Sequence, residues 1–222
     1  MRVLFVAMLA ASVALPAGAA TYLSLAQAVK KFIGDAKAFK VTKTLSTQDR
    51  ARLAKDYGWE SKDADHVFYV GKDGDTPTAY VYLVNEVFNT CFHKYAVGMK
   101  PDGEVIDTVV VELSCPRAFP VNRKSFLAQF SGKQHTDALT TRSDVDAVTG
   151  ATLSSEATAQ ATRKAVSLHN LFFGGAKEVV LSDAVKKARA DAAGVITKAI
   201  ETGQTLAKKG QPAHAVVEAE EK

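Results

Sequence analysis

A hydroxyl at the end of a tight turn is the residue pattern with the most evident chemistry, in Asp146-Ala147-Val148-Thr149-Gly150-Ala151-Thr152. Gly150 lets the backbone turn where a side chain would clash, and the small Ala151 leaves room for a ligand to approach the main chain. The residues from Ser154 to Val166 indicate a helix opened by serines. A hydroxyl beside a helix N-terminus faces unpaired N–H groups and the positive end of the helix dipole, which both suit a phosphate.

This stretch resembles the flavinylation motif of the FMN-binding domain family, whose pattern is Asp, two free positions, Ser or Thr, then Gly-Ala-Thr. Asp146, Thr149, Gly150, Ala151 and Thr152 match the pattern without a departure. In that family the last Thr carries FMN through a phosphoester bond, so the resemblance implies covalent FMN on Thr152. An ordinary loop-to-helix turn with Ser/Thr capping is the alternative interpretation.

The resemblance also implies the remaining parts of a cofactor site. Leu153, Ser154 and Ser155 follow the motif, and the helix start at Ser154 would offset the negative charge of the phosphate. Asp146 would be recognised by the modifying protein or would cap the turn through its own backbone. That modifying protein would be an exported flavin transferase, which uses FAD and magnesium. We predict no catalytic residue and no metal site.

Three functions are compatible with these residues. The resemblance favours an electron-transfer flavoprotein, with membrane quinol-linked complexes or multihaem cytochromes as redox partners. A flavin-dependent reductase of a small acceptor is the alternative, with His66, His93 and Arg117 as scattered candidates. A non-redox binding module, in which Thr152 stays unmodified, is the third.

The composition and the N-terminus indicate an exported protein. The 222 residues are 47% hydrophobic with a net charge of +4, and no basic stripe with interleaved aromatic residues predicts nucleic-acid binding. Arg2, an apolar run over Val3–Leu15 and an Ala17-Gly18-Ala19 cleavage site predict a secretory signal over residues 1–19. We therefore expect a periplasmic or otherwise extracytoplasmic protein that is soluble after cleavage. An uncleaved membrane anchor is the alternative, although the run is shorter than the ~20 residues of a spanning helix.

The hydrophobic periodicity predicts an α+β fold, with an antiparallel sheet meander, packed helices and a C-terminal helix. We assign residues 20–173 to the FMN-binding domain, 174–208 to a C-terminal helical extension and 209–222 to a disordered tail. Strands are predicted over His66–Val70, Ala79–Phe88, Cys91–Met99 and Glu104–Leu113. Helices are predicted over Leu25–Ile33, Ser46 to about Tyr57, Asn122–Phe130, Ser154–Leu168 and Ser182 to about Lys208.

The two cysteines are expected to lie on neighbouring strands. Pro101-Asp102-Gly103 predicts a bulged hairpin turn, which would place Cys91 opposite Leu113 or Ser114 and close to Cys115. An intrachain disulfide between Cys91 and Cys115 is the prediction; two free structural thiols and a redox-active dithiol are the alternatives.

Residues beside the motif are interpreted as surface features. Gln134–Asp144 is polar and predicts a surface loop, with His135 as a solvated loop residue. Arg163 and Lys164 are interpreted as exposed helix charges, or as charges that help an anionic partner to dock. The C-terminal helix is expected to pack on its own domain, with docking of a partner as the alternative.

Overall fold

The sheet is a single antiparallel layer with six strands. This computed structural model describes residues 19–88, 91–175 and 179–208. The strands are β1 (Ala20–Thr21), β2 (Lys37–Thr44), β3 (Asp65–Asp73), β4 (Thr76–Phe88), β5 (Cys91–Met99) and β6 (Val105–Leu113). Their spatial order is β1-β6-β5-β4-β3-β2. From β2 to β6 each strand pairs with the next along the chain, which confirms the predicted meander.

Helices cover both faces of this sheet, so the predicted α+β class is confirmed. The α-helices of the described residues are α1 (Leu25–Ile33), α2 (Thr47–Arg52), α3 (Lys124–Leu127), α4 (Thr152–Phe173) and α5 (Asp183–Lys208). A π turn over Leu53–Tyr57 continues α2, and short 3-10 helices over Pro116–Asn122 and Ala128–Phe130 flank α3. The larger hydrophobic core lies on the face that α4 covers, and a smaller one lies under α1.

The start of α1 is fixed by a capping box. The Ser24 hydroxyl accepts a hydrogen bond from the Gln27 amide at 3.2 Å, and the Gln27 side chain accepts one from the Ser24 amide at 2.8 Å. The helix then buries Ala28, Val29 and Ile33 against the sheet. A Cβ at Gly98 would overlap the ring of Phe32, so glycine at this position of β5 allows α1 to approach closely.

The motif helix α4 is longer and more deeply buried than predicted. It begins at Thr152 and ends at Phe173, whereas the periodicity had indicated Ser154–Leu168 with one apolar face. Four of its buried hydroxyl side chains donate to a carbonyl one turn earlier, which satisfies their hydrogen bonding inside the core. These bonds run from Ser155 to Ala151, Thr158 to Ser154, Thr162 to Thr158 and Ser167 to Arg163. Alanines at positions 157, 159, 161 and 165 complete the packed surface.

Three further elements differ from the sequence predictions. Strand β2 was not predicted, because Lys37, Lys40 and Lys43 interrupt any apolar alternation along this edge strand. Strand β1, at the opposite edge, is too short to give a pattern. The helix predicted over Asn122–Phe130 is broken into α3 and its flanking 3-10 turns.

The hairpin between β5 and β6 brings the two cysteines together. Gly103 has a φ of +90°, which glycine accepts readily, and the Lys100 amide donates to the Glu104 carbonyl at 2.8 Å. A bulge at Lys94 shifts the register further than the turn alone predicts, so that His93 pairs with Leu113. The residue opposite Cys91 is therefore Cys115 itself rather than Leu113 or Ser114.

Cys91 and Cys115 form a disulfide in the structure, with 5.5 Å between their Cα atoms. The bond closes a loop that contains β5 and β6, with a sequence separation of 24 residues. A covalent loop of that length restricts the unfolded chain, which corresponds to about 3.5 kcal/mol of stability in the chain-entropy model.

The two ends of the chain lie outside the residues that the structure describes. Residues 1–18 of the predicted signal and the predicted tail over 209–222 are not among the described residues. Within the described ranges, none of the helices is both long enough and apolar enough to cross a membrane.

His169 is a buried titratable group at the end of α4 that lies far along the helix from Thr152. Its side chain is 1% exposed, with ring centroids 4.6 Å from Tyr80 and 5.4 Å from Phe173, and it packs on Gly103. Neither ring nitrogen has a hydrogen-bond partner among the described residues. Burial lowers the pKa of His169 to about 4, although Asp102 acts in the opposite direction and His135 reinforces the decrease.

We expect His169 to make the fold sensitive to acid. Because the pKa of the folded state lies below the ordinary value of 6.5, the unfolded chain binds the proton first, and stability falls as the pH drops from about 6.5 to about 4. Replacing His169 with Phe should reduce the slope of unfolding free energy against pH by up to about 1.4 kcal/mol per pH unit. Urea unfolding at several pH values measures that slope. His135→Gln, at a partly exposed site, should change it less, and an unchanged slope in His169→Phe would contradict this assignment.

Candidate functional site

Thr152 is the first residue of α4, and its side chain is exposed. The preceding cap position is Ala151, whose φ is −136° and whose side chain makes no capping hydrogen bond. The prediction that serines open this helix is therefore wrong. Ser154 and Ser155 lie inside the first turn and are buried. Because alanine has no side-chain oxygen, this cap residue accepts no hydrogen bond from the first N–H groups of α4.

The turn before Thr152 projects the motif into solvent. The Ala151 amide donates to the Val148 carbonyl at 2.9 Å, which makes Val148 to Ala151 a β-turn. Gly150 occupies the third position with a φ of +76°, and nothing lies within 4 Å of where its Cβ would be. Glycine is thus required here by conformation, and the space beside it is open.

Two side chains fix the backbone of this turn. The Ser155 hydroxyl accepts from the Val148 amide at 3.0 Å and donates to the Ala151 carbonyl at 2.9 Å. The Gln129 side chain accepts from the Asp146 amide at 2.7 Å and donates to the Asp146 carbonyl at 3.1 Å. Both ends of the motif are consequently held to the rest of the domain.

The predicted cofactor residues lie together in one turn but differ in exposure. Those exposed are Asp146, Thr149, Gly150 and Thr152, whereas Leu153 is half-buried and Ala151, Ser154 and Ser155 are buried. The exposed members are accessible from solvent. Ser155 acts on the backbone of the turn from inside.

The segment that leads into the motif is partly buried, which corrects the prediction of a surface loop over Gln134–Asp144. Leu139 and Thr140 are fully buried, and Leu139 has a φ of +49°. The cause is Glu156 of α4, which is 2% exposed. One of its carboxylate oxygens accepts from the Thr140 hydroxyl at 2.8 Å, and from the Thr141 amide and hydroxyl at 2.8 and 2.7 Å.

Arg163 completes this buried arrangement, so its interpretation as an exposed charge is wrong. It is 5% exposed and donates to the Leu139 carbonyl at 2.7 Å, and the same nitrogen lies 3.8 Å from Glu156 Oε1. Burial lowers the pKa of Arg163, while Glu156 opposes that effect. No sequence pattern indicated this pair, because both residues resemble ordinary charges of an exposed helix.

Lys164 is also paired rather than free in solvent. Its ammonium lies 2.8 Å from a carboxylate oxygen of Glu86 on β4. Burial raises the pKa of Glu86, and Lys164 acts against that increase.

Lys133 secures the end of the same segment through Asp144. The Lys133 ammonium lies 2.8 Å from one carboxylate oxygen of Asp144, and the other oxygen accepts from the Thr140 amide at 3.1 Å. Burial alone would raise the pKa of Asp144, but these hydrogen bonds lower it overall. His135 at the other end is half-buried, and burial lowers its pKa.

The residues considered for substrate reduction lie on separate elements. His66 on β3 and His93 on β5 are buried and bond to the hydroxyls of Tyr82 and Tyr95 at 2.7 and 2.9 Å. Burial lowers the pKa of both, that of His93 to about 4. Arg117 lies in the 3-10 helix after the disulfide. Over the described ranges, no group of three or more His, Cys, Asp or Glu residues could hold a metal ion.

Comparison with known families assigns this region. Residues 92–167 match the FMN-binding domain family, a stretch that runs from β5 through the motif turn into α4. This match confirms the resemblance noted at residues 146–152, and it supports flavin binding by this part of the chain. No curated protein matches the chain.

We expect the buried Glu156 to be essential for stability. In Glu156→Gln, the amide oxygen can still accept from Thr140 and Thr141, but Arg163 loses its counter-charge, which should cost about 3 kcal/mol. Urea unfolding at neutral pH measures the loss. Glu112→Gln is the control, because Glu112 pairs with Lys94 at 3.6 Å where both side chains are about one third exposed, and it should cost less than about 1 kcal/mol. Equal costs in the two variants would contradict this account.

Proposed function

We propose that the protein is an extracytoplasmic electron-transfer flavoprotein that carries FMN on Thr152 through a phosphoester bond. The observation that carries the proposal is an exposed hydroxyl at the uncapped start of α4, inside a region that matches a flavin-binding family. A buried Thr152 would have excluded modification by another protein.

The residues around Thr152 suit a phosphate. The Ser155 amide donates to the Ala151 carbonyl at 2.8 Å, so the N–H groups of residues 152–154 precede the first bond of the helix ladder. These groups and the positive end of the helix dipole favour a phosphate on the neighbouring hydroxyl. The open space beside Gly150 leaves the hydroxyl accessible.

Attachment requires an exported flavin transferase with FAD and magnesium. Thr152 Oγ1 would bond to the flavin-side phosphorus of FAD, the pyrophosphate bond would break, AMP would leave, and the hydroxyl proton would be released. The products are then threonyl-FMN and AMP. Because the phosphoester does not dissociate, a cofactor that is scarce outside the cell would not be lost.

The flavin would supply one- and two-electron transfer, while the protein positions it and sets its electrostatic surroundings. The described residues place no clustered acid–base groups at Thr152, so we propose a carrier rather than a stand-alone enzyme. Its partners would be membrane quinol-linked complexes or multihaem cytochromes. The signal-like residues 1–19 and the disulfide support an extracytoplasmic location.

The attachment residue is tested by producing the protein with a flavin transferase. Wild-type protein should gain ~438 Da, the mass of FMN less water, and should stay yellow after denaturation. Thr152→Ala should gain no mass, because the accepting oxygen is absent, and Thr152→Ser should retain partial loading. Intact-mass spectrometry and absorbance measure both.

Thr42→Ala is the matched control, because Thr42 is an exposed threonine on β2, outside the motif and the segment that leads into it. It should load like wild type. A denaturation-stable flavin on Thr152→Ala would place the attachment elsewhere, and wild-type protein that stays unmodified would remove the covalent assignment.

The two hydrogen bonds between the Gln129 side chain and the Asp146 backbone, called the clamp below, can be tested for an effect on flavin loading. In Gln129→Glu, an ionised carboxylate still accepts from the Asp146 amide but repels the Asp146 carbonyl, whereas a protonated carboxyl can donate to it. Loading relative to wild type should therefore be reduced at pH 7.5 and recover only as the pH approaches the ordinary Glu pKa of about 4.3. The measurement is the ratio of the loading rate of the variant to that of wild type at the same pH. Gln48→Glu, at an exposed site, should load like wild type at every pH; the same result for Gln129→Glu would rule out a role for the clamp.

A further inference from the structure

Arg189 of α5 is buried against the segment that leads into the motif. Its side chain is 3% exposed. The guanidinium donates to the carbonyls of His135 at 2.8 Å, Asp137 at 2.6 Å, and Ala138 and Tyr57 at 3.4 Å each. Three of these four acceptors lie within four consecutive residues, so one side chain fixes the course of the backbone there.

Arg189 supplies hydrogen-bond donors that the backbone carbonyls of this segment require. Residues 134–151 contain no strand or helix, and buried carbonyls without a donor are costly. Arginine presents five donors in a planar fork, which lets it bond several carbonyls at once. Burial lowers the pKa of Arg189 to about 10, so the side chain remains charged at neutral pH.

The supports of this segment follow one another along the chain. Arg189 holds residues 135–138, Arg163 holds Leu139, and Glu156 holds residues 140–141. Gln129 then holds Asp146, and Ser155 holds Val148. Arg189 is the member of this series that lies outside residues 92–167, the part of the chain that matches the flavin-binding family.

We propose that α5 is an integral part of the flavin-attachment site, and that Arg189 is a positioning residue that holds residues 135–138 so that the motif turn is presented to the transferase. The inference rests on the proposed function. It gives α5 a role within this chain, where the sequence left open whether the helix docks a partner. Ala192, three residues further along α5, is also fully buried.

In a variant without the Arg189 hydrogen bonds, we expect the domain to stay folded but the motif turn to be presented less well to the transferase. If Arg189 cannot donate, the carbonyls of residues 135–138 must bond to water instead, and the segment moves away from α5 into solvent. A transferase would then have to order the segment on binding, which should raise KM and leave kcat within about twofold. Loss of hydrogen bonds from a charged donor should lower kcat/KM about tenfold to a hundredfold.

Three variants of the full chain test the proposal. Arg189→Lys keeps the charge with fewer and less directed donors, and Arg189→Gln removes the charge. Lys187→Gln is the matched control, because Lys187 is exposed on the same helix and bonds to Asp191 at 2.7 Å. For each variant, flavin loading by the transferase is measured as kcat and KM, and amide hydrogen exchange is measured without flavin.

The proposal expects kcat/KM to decrease in the order wild type, Arg189→Lys, Arg189→Gln, with the control at the wild-type value. Exchange should accelerate in residues 134–145 and remain unchanged in β4 and β5. If Arg189→Gln fails to fold, Arg189→Lys decides by the same two measurements. Wild-type loading in the folded Arg189 variants overturns the inference alone, even if exchange accelerates. Wild-type protein that accepts no flavin overturns the proposed function, and this inference with it.

Discussion

The constraint on which the site depends is the hydrogen bonding of residues 134–151, which have no helix or sheet ladder of their own. Side chains from elsewhere bond to this backbone: Glu156 and Arg163 from α4, Arg189 from α5, Lys133 and Gln129 from the residues after β6. Charged groups serve here because one carboxylate or guanidinium can bond several main-chain groups at once. Their burial also means that each must remain paired, since an unpaired buried charge is costly.

Helix α4 connects this support to the exposed hydroxyl. Its buried length crosses the sheet, where the Thr158 and Thr162 hydroxyls lie 2.9 Å from the Tyr95 hydroxyl and 3.0 Å from the Thr108 hydroxyl. Its first residue, Thr152, reaches solvent. A side chain at the end of a rigid, packed element is held more reproducibly than one in the middle of a loop. The helix therefore gives the candidate attachment site a fixed position while leaving it accessible.

The sequence was informative where local rules decide the structure. Capping residues at Ser24 and Ser46, the Gly103 turn and the alternating strands β3 to β6 all follow from short-range patterns. The motif turn was equally visible, because Gly150 and Thr152 stand at a recognisable spacing. The support of the site was not visible, since Glu156, Arg163 and Arg189 are brought to residues 135–141 by packing between distant elements. Periodicity cannot distinguish a buried, paired charge from a solvated one.

The two border strands of the sheet, β1 and β2, each pair with one neighbouring strand only among the described residues, so their outer backbone groups have no ladder partner there. The border at β1 is only two residues long, and the border at β2 carries Lys37, Lys40 and Lys43. A second copy that arrived border to border would bring its own ammonium groups against these, and like-charge repulsion would oppose its addition. Such a border therefore discourages the growth of fibres by addition of further copies at β2.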